Sequence, residues 1–258
     1  MNFNIPVFAD MGLKTWQTKY LIGCAVILPF SPLLYLLGQH TRRKIGLLPE
    51  AAGEKSGRAG KGEETAGLLL IGESTVAGLG AKTHETALAG QFARKLSDRI
   101  GKSVKWTVIG KNGVTAKRTI EELLPLVPDK TFDYILIGLG GNDVLKLSSP
   151  RIWRRTMIEL ITRLREKSPN STIFITNCAA IHTSPVLPQP IRFLLSKLSK
   201  MHNANAIEFT APMNRVFYYH QPRSVPEGFF ADGIHPSEFG YSVWSDSMMR
   251  FFTETYKW

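Results

Sequence analysis

Short apolar runs alternate with helical patterns along most of this chain, and that alternation restricts the fold more than any other feature. Runs typical of buried strands occur at 68–71, 104–109, 134–139, 172–176 and 206–209. Helical patterns lie between and after them, at 88–100, 116–124, 151–167, 190–202 and 237–252. Strands that alternate with helices are typical of a parallel sheet covered by helices on both faces. We therefore predict a three-layer α/β/α domain with a five-stranded parallel sheet over residues 68–258.

A second feature is an uncharged, mostly apolar run at residues 20–38. A helix rises about 1.5 Å per residue, so this run would extend roughly 28 Å, close to the thickness of bilayer hydrocarbon. The small residues of a signal-peptide cleavage site do not follow the run, and it lacks the amphipathic pattern of a helix buried in a soluble domain. We therefore predict an N-terminal segment, 1–40, that holds a single retained anchor helix at 20–38, spanning or lying on the membrane.

The charge pattern bears on the partners of the chain. Lysine and arginine total 32 against 21 acidic residues, a net charge of +11 that favours an anionic partner. The basic residues are scattered and form no nucleic-acid recognition motif, so we predict membrane contact and no nucleic-acid binding. Residues 41–67 are basic and rich in glycine, which predicts a linker. Basic residues flank the apolar run on both sides, with the larger number after it, which favours a cytoplasmic catalytic domain.

Polar residues and glycines follow the predicted strands. Gly72-Glu73-Ser74 follows the first strand, 110–113 the second and 140–143 the third, while Asp232-Gly233-Ile234-His235-Pro236 precedes the last helix. The carboxyl ends of parallel strands meet at one edge of a sheet, where ligands bind in such folds. The sequence therefore predicts a single site at this edge.

The residue types at this edge suit nucleophilic catalysis. A serine hydroxyl is a weak nucleophile unless a base takes its proton, and His235 is the candidate base for Ser74. Asp232, three residues before His235, can reach back to its Nδ1–H and fix the tautomer. Each residue alone also suits a helix cap or a turn. Together they provide a nucleophile, a base and an orienting acid. Residues that serve only as separate helix caps or turns would not be expected to supply all three groups.

These segments resemble the signature blocks of the SGNH (GDSL-type) hydrolases: GES at 72–74, Gly113, GGND at 140–143 and DGIHP at 232–236. The resemblance implies a flavodoxin-like sheet, catalysis by Ser74, Asp232 and His235, and no metal or organic cofactor. It also implies an oxyanion hole formed by the backbone N–H groups of Ser74 and Gly113 and the side-chain amide of Asn142. Glu73 departs from the aspartate that most members have before the serine.

The resemblance implies a serine esterase that hydrolyses carboxylic acyl esters through an acyl-enzyme on Ser74. The anchor and the basic charge favour simple or lipid-like acyl esters as substrates. Two alternatives remain at this stage. One is a carbohydrate O-deacetylase of the same family, which requires a domain that faces outward. The other is a membrane-tethered scaffold that keeps the fold without turnover.

Overall fold

The computed structural model describes residues 10–46 and 48–256. Residues 1–9 of the predicted N-terminal segment, 47 of the linker and 257–258 of the catalytic domain lie outside this description. The strands are β1 (Ser56–Ala59), β2 (Thr65–Gly72), β3 (Ser103–Gly110), β4 (Tyr134–Gly138), β5 (Thr172–Ile175) and β6 (Val216–Tyr218). The helices are α1 (Asp10–Ile27), α2 (Ser31–Ile45), α3 (Leu88–Ile100), α4 (Ala116–Arg118), α5 (Gly141–Leu145), α6 (Pro150–Lys167), α7 (Ile191–Thr210) and α8 (Glu238–Thr255).

The six strands form one sheet in the order β1-β3-β2-β4-β5-β6. β2 to β6 are parallel, and β2 pairs with both β3 and β4, from Leu68 opposite Tyr134 to Gly72 opposite Gly138 on the β4 side. Among the parallel strands this order is flavodoxin-like, as predicted. One buried apolar cluster joins the sheet to α6 and α7, and a second joins its other face to α3 and α8. The predicted three-layer α/β/α architecture is confirmed.

One predicted strand is wrong. Residues 206–209 belong to α7, and the fifth parallel strand is β6, which begins at Val216. Ala206 and Phe209 are both buried in the cluster beneath α7. A short apolar run has the same composition in a buried strand and on the buried face of a helix, so its periodicity alone did not distinguish them.

The predicted linker at 41–67 is wrong over its second half. β1 pairs antiparallel with β3, and β2 begins at Thr65, before the predicted boundary at 68. Position 57 has room only for glycine, because the Trp106 indole lies against it and a Cβ there would be 2.2 Å from a ring carbon. An edge strand needs backbone hydrogen bonds and few apolar side chains, so its glycine-rich, charged sequence is similar to that of a linker.

The N-terminal apolar run forms a longer helical segment than predicted. α1 and α2 are joined by a 3₁₀ turn at Leu28–Phe30, which contains Pro29, and Pro32 follows in the first turn of α2. Gly12–Arg43 is long and apolar enough to cross a membrane, and an 18-residue window within it has a mean hydropathy of 2.1. A signal sequence near an N-terminus has the same length and composition, so these two properties alone do not identify an anchor.

Candidate active site

Ser74 lies in the turn that leaves β2 at the carboxyl edge of the sheet. The Glu73 carbonyl accepts hydrogen bonds from the N–H groups of Val76 and Ala77, and the Ser74 carbonyl accepts one from Leu79. The preceding residue, Gly72, has no room for a side chain because a Cβ would lie 2.0 Å from the Gly138 carbonyl oxygen. The close approach of β2 and β4 therefore fixes where the turn begins and where Ser74 is held.

Asp232 and His235 form a hydrogen-bonded pair before α8. Asp232 Oδ2 lies 2.8 Å from His235 Nδ1, and Asp232 Oδ1 accepts the backbone N–H groups of Ile234 at 2.9 Å and His235 at 2.7 Å. Burial alone would raise the pKa of Asp232, but these hydrogen bonds outweigh it and hold that pKa below its usual value. The carboxylate stays ionised at neutral pH. Its hydrogen bond with Nδ1 fixes the orientation of the His235 imidazole ring, and Nε2 stays available to accept a proton.

The turn after Ser74 is tied to the segment that carries His235. Gly80 packs so closely on Pro236 that a Cβ would lie 2.1 Å from the Pro236 carbonyl oxygen. The Tyr241 hydroxyl donates to the Leu79 carbonyl at 2.7 Å, and Glu238 Oε1 accepts the Lys82 N–H at 3.0 Å. The fold therefore places the two predicted segments side by side. Within residues 10–46 and 48–256, the Ser74 hydroxyl makes no hydrogen bond, so a Ser74–His235 bond is not formed in this state.

The two backbone N–H groups predicted to form an oxyanion hole, those of Ser74 and Gly113, have no hydrogen-bond acceptor among the described residues. Gly113 has a φ of +79°, in the left-handed region that favours glycine, and a Cβ there would meet open space. Glycine at this position is therefore favoured by the backbone conformation and not by a close contact.

Asn142, the third predicted oxyanion donor, is held by Glu73. The Glu73 carboxylate accepts three hydrogen bonds: from Gly141 N–H at 2.8 Å, from Asn142 N–H at 2.8 Å and from Asn142 Nδ2 at 2.7 Å. Burial raises the pKa of Glu73 to about 7, although the three donors act in the opposite direction. An amide nitrogen carries two hydrogens, so Asn142 Nδ2 keeps one for another acceptor. Sequence reasoning missed this contact; the only signal was a carboxylate at the end of an apolar strand.

A second buried carboxylate joins the Gly113 loop to the Asn142 loop. Asp143 Oδ2 accepts the Ala116 N–H at 3.0 Å, and burial raises the pKa of Asp143 to about 6. Glu73 and Asp143 thus fasten the loops after β2, β3 and β4 to one another. All three predicted oxyanion donors lie in loops that are held in this way.

A cavity of about 160 Å³ lies beside these segments. The residues on both sides of Ser74 (Glu73 and Thr75) and of His235 (Ile234 and Pro236) line it. Most of its other wall is apolar and comes from the loops after β5 and β6 and from α8: Ile181, Leu187, Val225, Pro226, Phe229, Phe230, Val243 and Trp244. An apolar cavity next to the segments of Ser74 and His235 is suited to an apolar ligand group.

Known proteins of similar fold include lipases and carbohydrate esterases. A lipase from a goat rumen metagenome superposes with a TM-score of 0.56 and 17% identity, covering 72% of this chain and 96% of the lipase. A family 3 carbohydrate esterase from Clostridium thermocellum gives a TM-score of 0.52 and 17% identity, covering 74% and 97%. At such low identity these similarities show the fold alone.

Sequence comparison identifies the family. A GDSL-like esterase of Mycobacterium tuberculosis is 24% identical over 190 residues, which cover 69% of this chain and 59% of that protein. This chain thus matches about three fifths of the relative's length. The family model for GDSL-like lipases and acylhydrolases matches residues 70–243, which is 174 of the 258 residues and includes the GES, Gly113, GGND and DGIHP segments. The chain therefore belongs to the GDSL-like lipase/acylhydrolase family.

Proposed function

We propose that this protein is a serine ester hydrolase that cleaves carboxylic acyl esters through an acyl-enzyme on Ser74. The observation that carries the proposal is the Asp232–His235 pair, 2.8 Å apart and held against the turn of Ser74. A carboxylate that orients a neutral imidazole beside a serine is the arrangement that converts a weak hydroxyl into a nucleophile. Membership in an esterase family supports the same reaction type.

The reaction has two halves that share one proton carrier. Ser74 Oγ bonds to the ester carbonyl carbon as its proton passes to His235 Nε2, and the tetrahedral intermediate expels the alcohol, which takes that proton. Water then attacks the acyl-enzyme and gives its proton to His235. The acid leaves as the Ser74–acyl bond breaks, and the proton returns to Ser74 Oγ. Asp232 stabilises the imidazolium in both halves.

Asn142 and Glu73 give the first prediction. Replacing Asn142 by alanine removes one oxyanion donor and is expected to lower kcat by about 10²–10³-fold. In Glu73→Ala, the acceptor of Asn142 Nδ2 is removed, so Asn142 loses its orientation and kcat falls with little change in KM. Steady-state kinetics of the two single variants and the double variant measure the coupling. If Glu73→Ala lowers kcat equally in the Asn142→Ala background, Glu73 does not act through Asn142.

The cavity predicts which acyl chains the enzyme prefers. An apolar cavity of about 150 Å³ holds a benzene molecule, so one of about 160 Å³ has room for an acyl chain of about six carbons. Each methylene buried contributes about 0.8 kcal/mol, or about fourfold in kcat/KM. With p-nitrophenyl esters from acetate to palmitate, we expect kcat/KM to rise up to about hexanoate and then to level off.

A substitution in the cavity wall tests the same point. Val243→Phe is expected to lower the rate on hexanoate relative to acetate, while the acetate rate in the same variant serves as the control for folding and catalysis. A preference for acetate that falls with every added carbon would favour the carbohydrate deacetylase. Folded wild-type protein that hydrolyses no ester and fails to react with a fluorophosphonate would favour the scaffold.

A further inference from the structure

The N-terminal helical pair, α1 and α2, rests on the catalytic domain near the start of its apolar run. The Tyr20 hydroxyl donates to the Leu147 carbonyl at 2.7 Å, and Gln17 Oε1 accepts the Arg151 N–H at 3.1 Å. The Tyr20 ring packs on a buried cluster that includes Cys178 and Leu195. α1 therefore packs against the start of α6 and against α7.

The other end of the apolar run lies close to the same domain. Ile191 Cδ1, at the start of α7, is 4.0 Å from the position that a Cβ at Gly38 in α2 would take, and Thr41, one turn later in α2, is only 9% exposed. The 3₁₀ turn at Leu28–Phe30 lies between the two contacts. Proline has no backbone N–H, so Pro29 and Pro32 account for the change from α-helical to 3₁₀ hydrogen bonding at this turn.

The outer side of the helical pair is apolar and exposed. Eight large side chains are between 57% and 70% exposed: Leu21, Ile22, Val26, Leu28, Phe30, Leu33, Tyr35 and Leu36. Four more large apolar side chains are exposed on the domain, each within two residues of a position that lies against the helical pair: Leu145, Leu147, Ile152 and Phe193. We call these twelve residues the lipid face. A patch of this extent marks an interaction site.

The charges around the lipid face are basic. Lys14, Lys19, Arg42 and Arg43 are exposed at the two ends of the helical pair. The domain segments 144–158 and 186–207 present six exposed or half-buried basic side chains: Lys146, Arg151, Arg155, Arg192, Lys197 and Lys200. Arg154, in the first segment, is buried and pairs with Glu208. Anionic headgroups attract such residues at the edge of an apolar surface.

We propose that α1 and α2 lie in the plane of an anionic phospholipid bilayer, with the lipid face in the membrane and the catalytic domain resting on the same side. The hydrocarbon core is about 30 Å thick, so a spanning run would place Tyr20 and Gly38 at opposite surfaces. Here both ends of the run contact one domain. A domain outside the bilayer lies on one side only, so the geometry fits an interfacial helical pair.

Cysteine accessibility in the full chain decides between the two arrangements. In a Cys24→Ser background, Lys14→Cys and Lys61→Cys place single thiols before the apolar run and on the domain; Cys178 is buried. An impermeant maleimide is added to sealed right-side-out and inverted membrane vesicles. We expect both thiols to react in the same vesicle orientation. Reaction in opposite orientations, or recovery of the wild-type chain in the aqueous fraction after flotation, would overturn the proposal.

Depth measurements give a second readout. Spin labels on native Cys24 and on Leu28→Cys and Leu36→Cys, in 3:1 phosphatidylcholine–phosphatidylglycerol vesicles, are expected at similar depths of about 5–10 Å. A label at position 28 near the bilayer centre, with the others shallower, would mean a spanning helix.

The domain part of the lipid face has its own control. Vesicles are expected to slow maleimide labelling of Leu147→Cys and Phe193→Cys by about tenfold, because an interfacial position removes a thiol from water. Leu126→Cys, equally exposed but before β4 at the opposite edge of the sheet, should label at an unchanged rate. Equal labelling rates at all three positions would contradict contact of the domain with the bilayer.

Discussion

Ser74→Ala is expected to lower kcat/KM for p-nitrophenyl hexanoate by a factor on the order of 10⁶, the loss seen when a serine hydrolase loses its nucleophile. The reason is that Ser74 supplies the hydroxyl that the Asp232–His235 pair is proposed to activate, and alanine supplies none. The residual rate comes from the remaining donors and from substrate binding. A fluorophosphonate, which forms a covalent bond with an activated serine, should label the wild type at Ser74 and leave the variant unlabelled.

A matched control is available in the same cavity. Ser224 lines the cavity wall and is exposed, but it is far along the chain from Ser74 and forms no hydrogen bond within the described residues. Ser224→Ala should therefore keep fluorophosphonate labelling at Ser74 and, as a change in the cavity wall alone, alter kcat/KM by no more than a few fold. If Ser74→Ala retained more than about a thousandth of the wild-type rate while folded, Ser74 would not be the nucleophile.

Asp232→Asn is expected to lower kcat by about 10⁴-fold with the fold intact. The side-chain oxygen of asparagine can still accept the N–H groups of Ile234 and His235, so the loop keeps its shape. The amide nitrogen then faces His235 Nδ1 and donates to it, which leaves the proton on Nε2. An imidazole in that tautomer has no lone pair toward Ser74 and does not act as its base.

The Asp232→Asn result is measured as kcat and KM against the same ester, with circular dichroism to establish folding. Asp246→Asn is the control, because Asp246 is a half-exposed α8 carboxylate whose ion pairs, among the described residues, are with Lys95 and Arg250 at the surface. A loss of less than about tenfold in Asp232→Asn would mean that His235 needs no orienting acid, contrary to the role that a triad assigns to it.

The sheet was largely predictable because four of its parallel strands are mostly apolar runs, three of which are followed by glycine and polar residues. The wrong predictions at 206–209 and 41–67 arose where the local sequence does not distinguish one kind of element from another. In α7, Ala206 and Phe209 form an apolar run that meets the core from a helix, and in β1 Gly57 is required by the Trp106 indole, which is distant in sequence. Contacts between residues far apart in the chain leave no local pattern, so such elements are identified only in three dimensions.

At the site, the residue types were predictable and their supports were not. Ser74, Asp232 and His235 lie in adjacent segments at the predicted edge, and the Asp232–His235 contact follows from a spacing of three residues. The role of Glu73 depends on two backbone amides and one side chain nearly seventy residues away, which no spacing rule includes. The catalytic roles themselves stay predictions until the variants are measured.

The wall shared by the cavity and the N-terminal helical pair affects how the protein should be prepared. Ile181 and Leu187 line the cavity and also belong to the buried cluster on which Tyr20 packs. A fragment trimmed at the start of the sheet for solubility would expose the back of that wall to water. Rates and chain-length preferences measured on such a fragment would describe a cavity with one support removed, so the full chain in lipid or mild detergent is the form to assay.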